Sequence, residues 1–235
     1  MTKTTSTLVN IGVAAAVGAV IGARYAHGKT FSMFRVRSDF PIGMWLSVAL
    51  WSVFSIYWSI ASKDSAPTKT SESVWSRQLH LILVNAALIL LVAPVRGLTY
   101  RFLPVSQIFV VAGLAIQAGF ILFAVWARRH LGRNWSGEVR IASGHQLVRS
   151  GPYRFIRHPI YTAVLGMYCG TAIVSGEIHA PIALVVVTLA YWRKIRLEEQ
   201  ALGKTFGAEF DAYRRDTWAL VPPLHLGRPE KIFRL

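Results

Sequence analysis

Two stretches of this 235-residue chain concentrate side chains able to bind charge or move a proton. The first, Arg128 to Pro159, holds seven arginines and one acid, Glu138. It contains Leu131-Gly-Arg-Asn-Trp-Ser136, and then a longer run, His145-Gln-Leu-Val-Arg-Ser-Gly-Pro-Tyr-Arg-Phe-Ile-Arg-His-Pro-Ile-Tyr161. The second stretch, from Arg193, contains Arg196-Leu-Glu-Glu199 and Phe206-Gly-Ala-Glu-Phe-Asp-Ala-Tyr213.

Ser150-Gly-Pro-Tyr153 reads as a tight turn, because Pro fixes φ and Gly reaches backbone geometries closed to other residues. Such a turn presents Tyr153, Arg154, Arg157 and His158 toward one region. Pro159 disfavours helix at His158 and suits the first turn of a helix starting at Ile160. Arg157 and His158 then sit at a helix entrance, where backbone N–H groups and the helix dipole favour anions, so the pair suits a carboxylate or phosphate. On a helix from Ala190 to Phe206, Arg196 and Glu199 share a face, as do Lys194 and Glu198. An acid there can hold an ammonium or a ribose hydroxyl while an arginine holds a carboxylate. A ligand with an amino-acid head and a ribose would use that mixture. The plainer alternatives stay open: the arginines bind lipid headgroups and fix topology, and Glu198 and Glu199 are solvated helix acids.

The elements that must position these residues are apolar. Leu8 to Ala23 is an Ala/Gly/Val run broken only by Asn10; Pro41 to Ala61 and Val105 to Ala127 carry no charge; Leu79 to Pro94 has one His and one Asn. A spanning helix needs about 20 mostly apolar residues. Pro41 to Ala61 and Val105 to Ala127 meet that, and Leu79 to Pro94 does so if Trp75 to Gln78 extend it. Leu8 to Ala23 is the weakest span, and a retained helix is expected there rather than a cleaved secretory signal. Ile160 to Ser175 and Ala180 to Trp192, separated by Gly176-Glu-Ile-His179, predict a helical hairpin whose short arms are tilted or partly inserted. His80, inside the third apolar run, is a polar residue at membrane depth and either functional or a hydrogen-bonded structural residue.

Composition fits this picture. The chain is 53% hydrophobic and 16% charged, against roughly 25% charged in soluble domains. Both disorder and an ordinary soluble enzyme are excluded by it. Its 26 Lys+Arg against 11 Asp+Glu give a net charge of +15, a value that also raises nucleic-acid binding. Sixteen of those basic residues follow residue 127, in the two polar stretches, so no nucleic acid is expected as a partner. With a cytoplasmic N-terminus, 20 basic residues fall on the cytoplasmic side and six (Arg24, Lys29, Arg35, Arg37, Arg96, Arg101) on the other, which the positive-inside rule favours. The four between the first two runs dissent. Cys169 is the single cysteine, which excludes an intrachain disulfide, and the scattered histidines give no metal site.

The set His145-x-Leu-Val-x-x-Gly-Pro-Tyr-x-x-x-Arg-His-Pro-x-Tyr161, with Glu198-Glu199, Phe206-Gly207 and Tyr213 downstream, resembles the isoprenylcysteine carboxyl methyltransferase family, related to phospholipid methyltransferases. Leu131 to Ser136 and Thr217-x-x-Leu-Val-Pro222 resemble bacterial members. The resemblance covers residues 126–222. It implies an all-α, polytopic integral membrane bundle of five to six membrane helices with a cytoplasmic pocket for S-adenosyl-L-methionine. The site would be a C-terminal methyltransferase region, 128–235, following N-terminal transmembrane helices over 1–127 in one integrated membrane domain. By matching motif, His145, Gln146, Leu147, Val148, Gly151, Tyr153, His158, Pro159, Tyr161 and Glu198 would line the cofactor site. Arg157, Arg196 and Glu199 would act at the chemistry, an arginine orienting the acceptor or the methionyl carboxylate. Thr162-Ala163 stands where a Gly is common in the family, so a different local helix packing is expected there.

The acceptor this implies is lipidic or isoprenylated and enters from the bilayer. The type substrate is the carboxylate of an isoprenylated cysteine, with a phospholipid amine or a small thiol as alternatives. A bacterial inner membrane or its equivalent is the expected location. From other classes, a nicotinamide-dependent sterol-type reductase and a lipid-binding scaffold remain as rivals.

Overall fold

The computed structural model describes residues 41–62, 69–70, 73–93, 95, 97–132, 140–141 and 147–221. The run Leu8 to Ala23, and with it the first expected span, lies outside the described residues, as do His145 and Gln146. Six α-helices build the described part: α1 (Ile42–Ala61), α2 (Val74–Val92), α3 (Gln107–Leu131), α4 (Pro159–Ser175), α5 (His179–Phe206) and α6 (Ala208–Asp216). A 3-10 turn, Gly151–Arg154, precedes α4. A two-residue antiparallel ladder pairs β1 (Lys69–Thr70) with β2 (Arg140–Ile141), Lys69 opposite Ile141 and Thr70 opposite Arg140. The architecture is the all-α membrane bundle expected from the sequence.

Helices α1, α2 and α3 are each long and apolar enough to cross a membrane. Their ends follow local chemistry. Helix α2 starts ahead of its apolar run because the Ser73 hydroxyl accepts from the Ser76 N–H at 3.2 Å, satisfying a donor that has no partner within the helix. Ser106 does the same for α3, accepting from Ile108 N–H at 3.3 Å. At its other end α3 runs on past the apolar residues to Leu131, through Arg128, Arg129 and His130. Cations are favoured at that carbonyl-rich terminus. Arg128 is buried and donates from Nη1 to Gly132 O at 2.6 Å and from Nη2 to Ala61 O. One guanidinium thus joins the ends of α1 and α3, and α3 carries the chain unbroken across residue 127.

The hairpin forms as the spacing predicts. Gly176 takes the left-handed conformation, φ 62°, that ends α4 and turns the chain into α5. Residues 98–103 lie across this turn: Ile178 N–H donates to Tyr100 O at 2.9 Å and His179 N–H to Leu98 O at 3.2 Å. Glu177 and His179 are buried there, with His179 Nε2 3.2 Å from Glu177 Oε2, Nδ1 2.7 Å from Leu90 O, and Arg101 3.8 Å from Glu177.

The first arm keeps the length read from sequence, and the second runs well past it. Helix α4 has 17 residues, about 26 Å at 1.5 Å per residue, which is less than the roughly 30 Å of a hydrocarbon core. It is buried on nearly every face, packed among α1, α3 and α5. Protein rather than lipid surrounds it, so its length need not match the bilayer. Helix α5 continues through Ala190 without a break for 28 residues, about 42 Å. Its apolar first part, to Trp192, belongs to the bundle, and its polar second part extends beyond.

Small residues let α3 and α4 meet closely. A Cβ added at Gly170 would lie 2.6 Å from Gly113 O and 2.8 Å from Gln117 N, and one at Gly166 would enter the Phe120 ring. Gly166 and Gly170 form the small-xxx-small spacing that brings membrane helices together. Beside them, Ser47 of α1 donates to Gln117 Oε1 of α3 at 2.7 Å, and Gln117 Nε2 donates back to Ser47 O at 3.0 Å. Trp51 Nε1 donates to Thr171 Oγ1 of α4 at 3.0 Å. Ser47, Gln117 and Thr171 are fully buried, so three helices are joined by polar groups that satisfy one another.

Candidate active site

The site lies where the start of α4 meets the polar half of α5. His158 is the last residue before α4, with φ −121° and ψ 60°, a non-helical geometry that the following proline enforces. This aims its ring at α5, where both acids sit. Nε2 is 3.3 Å from Glu199 Oε1 and Nδ1 is 3.4 Å from Glu198 Oε2. Tyr161, in the first turn of α4, donates its hydroxyl to Glu198 Oε1 and stacks on the His158 ring, centroids 5.5 Å apart and planes 7° apart. His158, Tyr161, Glu198 and Glu199 are therefore brought together from positions about 40 residues apart.

Arg157 completes the cluster by reaching two ways. Its Nε donates to Glu199 Oε1 at 2.8 Å. Its Nη1 donates to Arg214 O at 3.1 Å and to the backbone carbonyl of Thr217. These are carbonyls at the end of α6, where a cation is favoured. The chain after α6 also pairs with the segment before α4: Arg157 N–H donates to Trp218 O at 2.8 Å, His158 N–H to Ala219 O at 3.1 Å, and Trp218 N–H to Phe155 O at 3.0 Å. Tyr213 of α6 donates to Tyr153 O at 2.7 Å. The motif loop is thus held by the chain that follows it, and Arg157 is its staple.

The electrostatics follow from this packing. Burial works against the charge on Glu199, but hydrogen bonds from His158 and Arg157, and their charges, outweigh it and hold the carboxyl at about 2. Burial likewise works against a charged His158, and the hydrogen bonds and charges of Glu198 and Glu199 overcome it and raise the imidazole above 6.5. Burial pushes the Tyr153 phenol well above its usual value, so that hydroxyl is a donor.

The other sequence candidates divide. Gly151 opens the 3-10 turn with φ 57°, and a Cβ there would meet the His130 ring at 2.7 Å, so it permits a close approach of the chain to α3. Pro159 is buried at the first position of α4. Val148 packs with Tyr153, Ala127 and Ile160, and Leu147 is half-buried in the extended segment just before it. Tyr153 is buried, and its hydroxyl has no hydrogen-bond partner among the described residues. Arg196 is not brought to the acids: it is exposed and lies over the Trp192 ring at 5.1 Å. Thr162, where a glycine was expected, is buried and returns its hydroxyl to His158 O at 3.2 Å. The helix there accepts the larger residue without a break.

Sequence reasoning missed Tyr191, whose ring packs on Tyr161 at 4.7 Å and against His80 of α2 at 5.3 Å. The signal was present, since Tyr191 and Glu198 are seven apart on one helix and so share a face. Thr217, Trp218 and Ala219 were noted only as part of a motif. Their role is backbone pairing, which spacing does not reveal.

Comparison with known proteins agrees with this geometry. Residues 108–209 match the family model described as phospholipid methyltransferase, a match that takes in α3, α4 and α5. A probable protein-S-isoprenylcysteine O-methyltransferase of Oryza sativa subsp. indica is 32% identical over 97 residues, 39% of this chain and 49% of the relative. The nickel-cobalt-cadmium resistance protein NccN of Alcaligenes xylosoxydans xylosoxydans is 36% identical over 105 residues, 44% of this chain and 49% of the relative. The protein-S-isoprenylcysteine O-methyltransferase of Saccharomyces cerevisiae is 31% identical over 89 residues, 36% of each chain. The chain spans about half or less of the length of the curated relatives it matches. Residues 108–209 of this integral membrane protein are thus similar to the phospholipid methyltransferase family model and, over a shorter stretch, to protein-S-isoprenylcysteine O-methyltransferases.

Proposed function

We propose that the protein is an S-adenosyl-L-methionine-dependent methyltransferase acting on a lipidic acceptor, foremost the carboxylate of an isoprenylated cysteine or a similar isoprenoid carboxylate. The observation that carries this reading is the convergence of His158, Tyr161, Glu198 and Glu199 at the mouth of the α4/α5 hairpin. The donor set fits the cofactor. Glu198 and Glu199, each 18% exposed at the side chain, are carboxylates of the kind that suits an ammonium or ribose hydroxyls. The Tyr153 phenol, close enough to Glu198 to feel its charge, offers a further donor. By resemblance, His145, Gln146, Leu147 and Val148 complete the pocket. Bound S-adenosylmethionine would supply an electrophilic methyl group on a cationic sulfur.

The chain's own part is then binding and alignment. Methyl transfer is an in-line displacement, so fixing the two reactants supplies much of the rate. A carboxylate acceptor is already ionised near neutral pH, so no group in the cluster need remove a proton. Arg157 acts chiefly by positioning Glu199 and the end of α6. The basic residues near the site support a cytoplasmic location for it by the positive-inside rule.

A phospholipid amine is the second reading, favoured by the description of the family model that matches residues 108–209. An amine must lose a proton before it attacks, so its methylation rises with pH where carboxylate methylation is flat. Titration of the purified protein with S-adenosylhomocysteine and with NADPH tests the class. Binding of the former alone is expected; NADPH alone points to a reductase, and neither sinks both enzyme readings. Transfer of labelled methyl into lipid extract and into N-acetyl-S-farnesylcysteine then identifies the acceptor.

A further inference from the structure

Two residues at the edge of the site are left over when the cofactor residues are accounted for: Tyr191 and His80. Tyr191 is 8% exposed. Its ring is fixed on both sides, by Tyr161 at 4.7 Å and by His80 at 5.3 Å with planes 71° apart. Its hydroxyl nevertheless has no hydrogen-bond partner among the described residues. The contrast is with Tyr161, Tyr168 and Tyr213, which donate to Glu198, Val84 O and Tyr153 O. The hydroxyl oxygen is not itself sealed from its surroundings, so a donor on a held ring stands open to a ligand.

The position of Tyr191 says which ligand. Tyr191 and Glu198 lie on one face of α5, seven residues or about 10 Å apart along the axis. Because α5 rises from the hairpin turn toward the acids, Tyr191 is the deeper of the two, toward the apolar part of the bundle. A cofactor held at Glu198 and Glu199 would therefore have Tyr191 on its membrane side, where a lipidic acceptor arrives. His80 reaches this point from α2, and α2 is held against α5 by Arg193, whose Nη2 donates to Ser76 Oγ at 2.7 Å. Ser76 and His80 are four apart and share a face of α2.

We infer that Tyr191, braced by His80, is the acceptor-recognition residue of the site: its hydroxyl donates to the carboxylate head of an apolar-tailed acceptor, while His80 sets the orientation of its ring. This rests on the methyltransferase reading and deepens it. It also gives α2, which lies outside the matched residues 108–209, a part in acceptor selection.

The test uses the full chain in detergent, with S-adenosylhomocysteine present, and measures binding of N-acetyl-S-farnesylcysteine and of its methyl ester, which lacks the anionic head. The wild type is expected to prefer the acid. Tyr191→Phe, which keeps the ring contacts, is expected to bind the acid about tenfold more weakly, the effect of one lost hydrogen bond to a charged group. Its affinities for the ester and for S-adenosylhomocysteine should be unchanged. His80→Phe provides a second variant, expected to weaken acid binding in the same direction. Equal binding of acid and ester by the wild type overturns the inference, as does wild-type acid affinity in Tyr191→Phe, or loss of S-adenosylhomocysteine in that variant. Wild-type protein that binds no S-adenosylhomocysteine would instead remove the methyltransferase reading itself.

Discussion

His158 faces Glu198 with one ring nitrogen and Glu199 with the other. Only an imidazolium can donate from both, and the raised titration of His158 agrees with that form. The pH dependence follows from the signs. Glu199, lowered from 4.5 to about 2, contributes stability above pH 4.5 that is lost as pH falls through about 2. His158, raised above 6.5, contributes stability below pH 6.5 that is lost as pH rises through its folded value. The cluster is therefore fully effective between about pH 4.5 and 6.5. Thermal unfolding in detergent should show a midpoint that declines on the alkaline side. In Glu199→Gln that decline should shrink, because one of the two carboxylates that raise His158 is gone. An identical alkaline slope in the two proteins would mean that His158 is not held by Glu199. At this scale the sequence was legible in part. Residue types and the loop motif located Arg157, His158, Tyr161, Glu198 and Glu199. Spacing equally put Arg196 on the face of Glu199, but Trp192, one turn below, takes the guanidinium instead. A helix offers neighbours at both three and four residues, and the partner across the interface decides between them.

Helix α4 is the element on which the site depends, because its start carries His158 and Tyr161 and its body is gripped by α3. The grip is steric. At Gly170 any side chain would press on the backbone of Gly113 and Gln117, at 2.6 and 2.8 Å, and backbone cannot rotate away as a side-chain tip can. Gly170→Ala is expected to lower stability in detergent by about 1–3 kcal/mol, the usual cost of overpacking, seen as a lower unfolding temperature. Gly119, where an added Cβ meets nothing within 4 Å, is the matched control, and Gly119→Ala should hold or raise that temperature. The apolar runs behind α1 and α3 and the hairpin turn at Gly176 were readable from sequence, since they depend on local chemistry, whereas the serine caps of α2 and α3 were not picked out. That α4 is enclosed by protein was not readable. An apolar run has the same appearance whether lipid or other helices surround it.

Across the whole molecule, α1, α3 and α4 are joined by the Ser47, Gln117, Thr171 and Trp51 network, which lies away from the acids of the site. Its members satisfy one another, so removing one leaves buried groups unpaired. Gln117→Leu should destabilise the bundle by about 1 kcal/mol, within the modest range of polar contacts between membrane helices, while leaving S-adenosylhomocysteine affinity at the wild-type value. Unfolding temperature and ligand titration on the same sample check both halves. The sequence by itself determined that this is a helical membrane protein with its basic residues gathered after residue 127. Those properties come from composition and local pattern, which a linear reading contains. It also carried the motif residues that resemble a methyltransferase family. Only the tertiary structure decided that Arg157 staples the loop to α5 and α6, that Arg196 turns away, and that His80 and Tyr191 meet at the edge of the site. Each of those depends on which helix faces which, and that choice is made by close packing among small residues and by mutual satisfaction of buried polar groups.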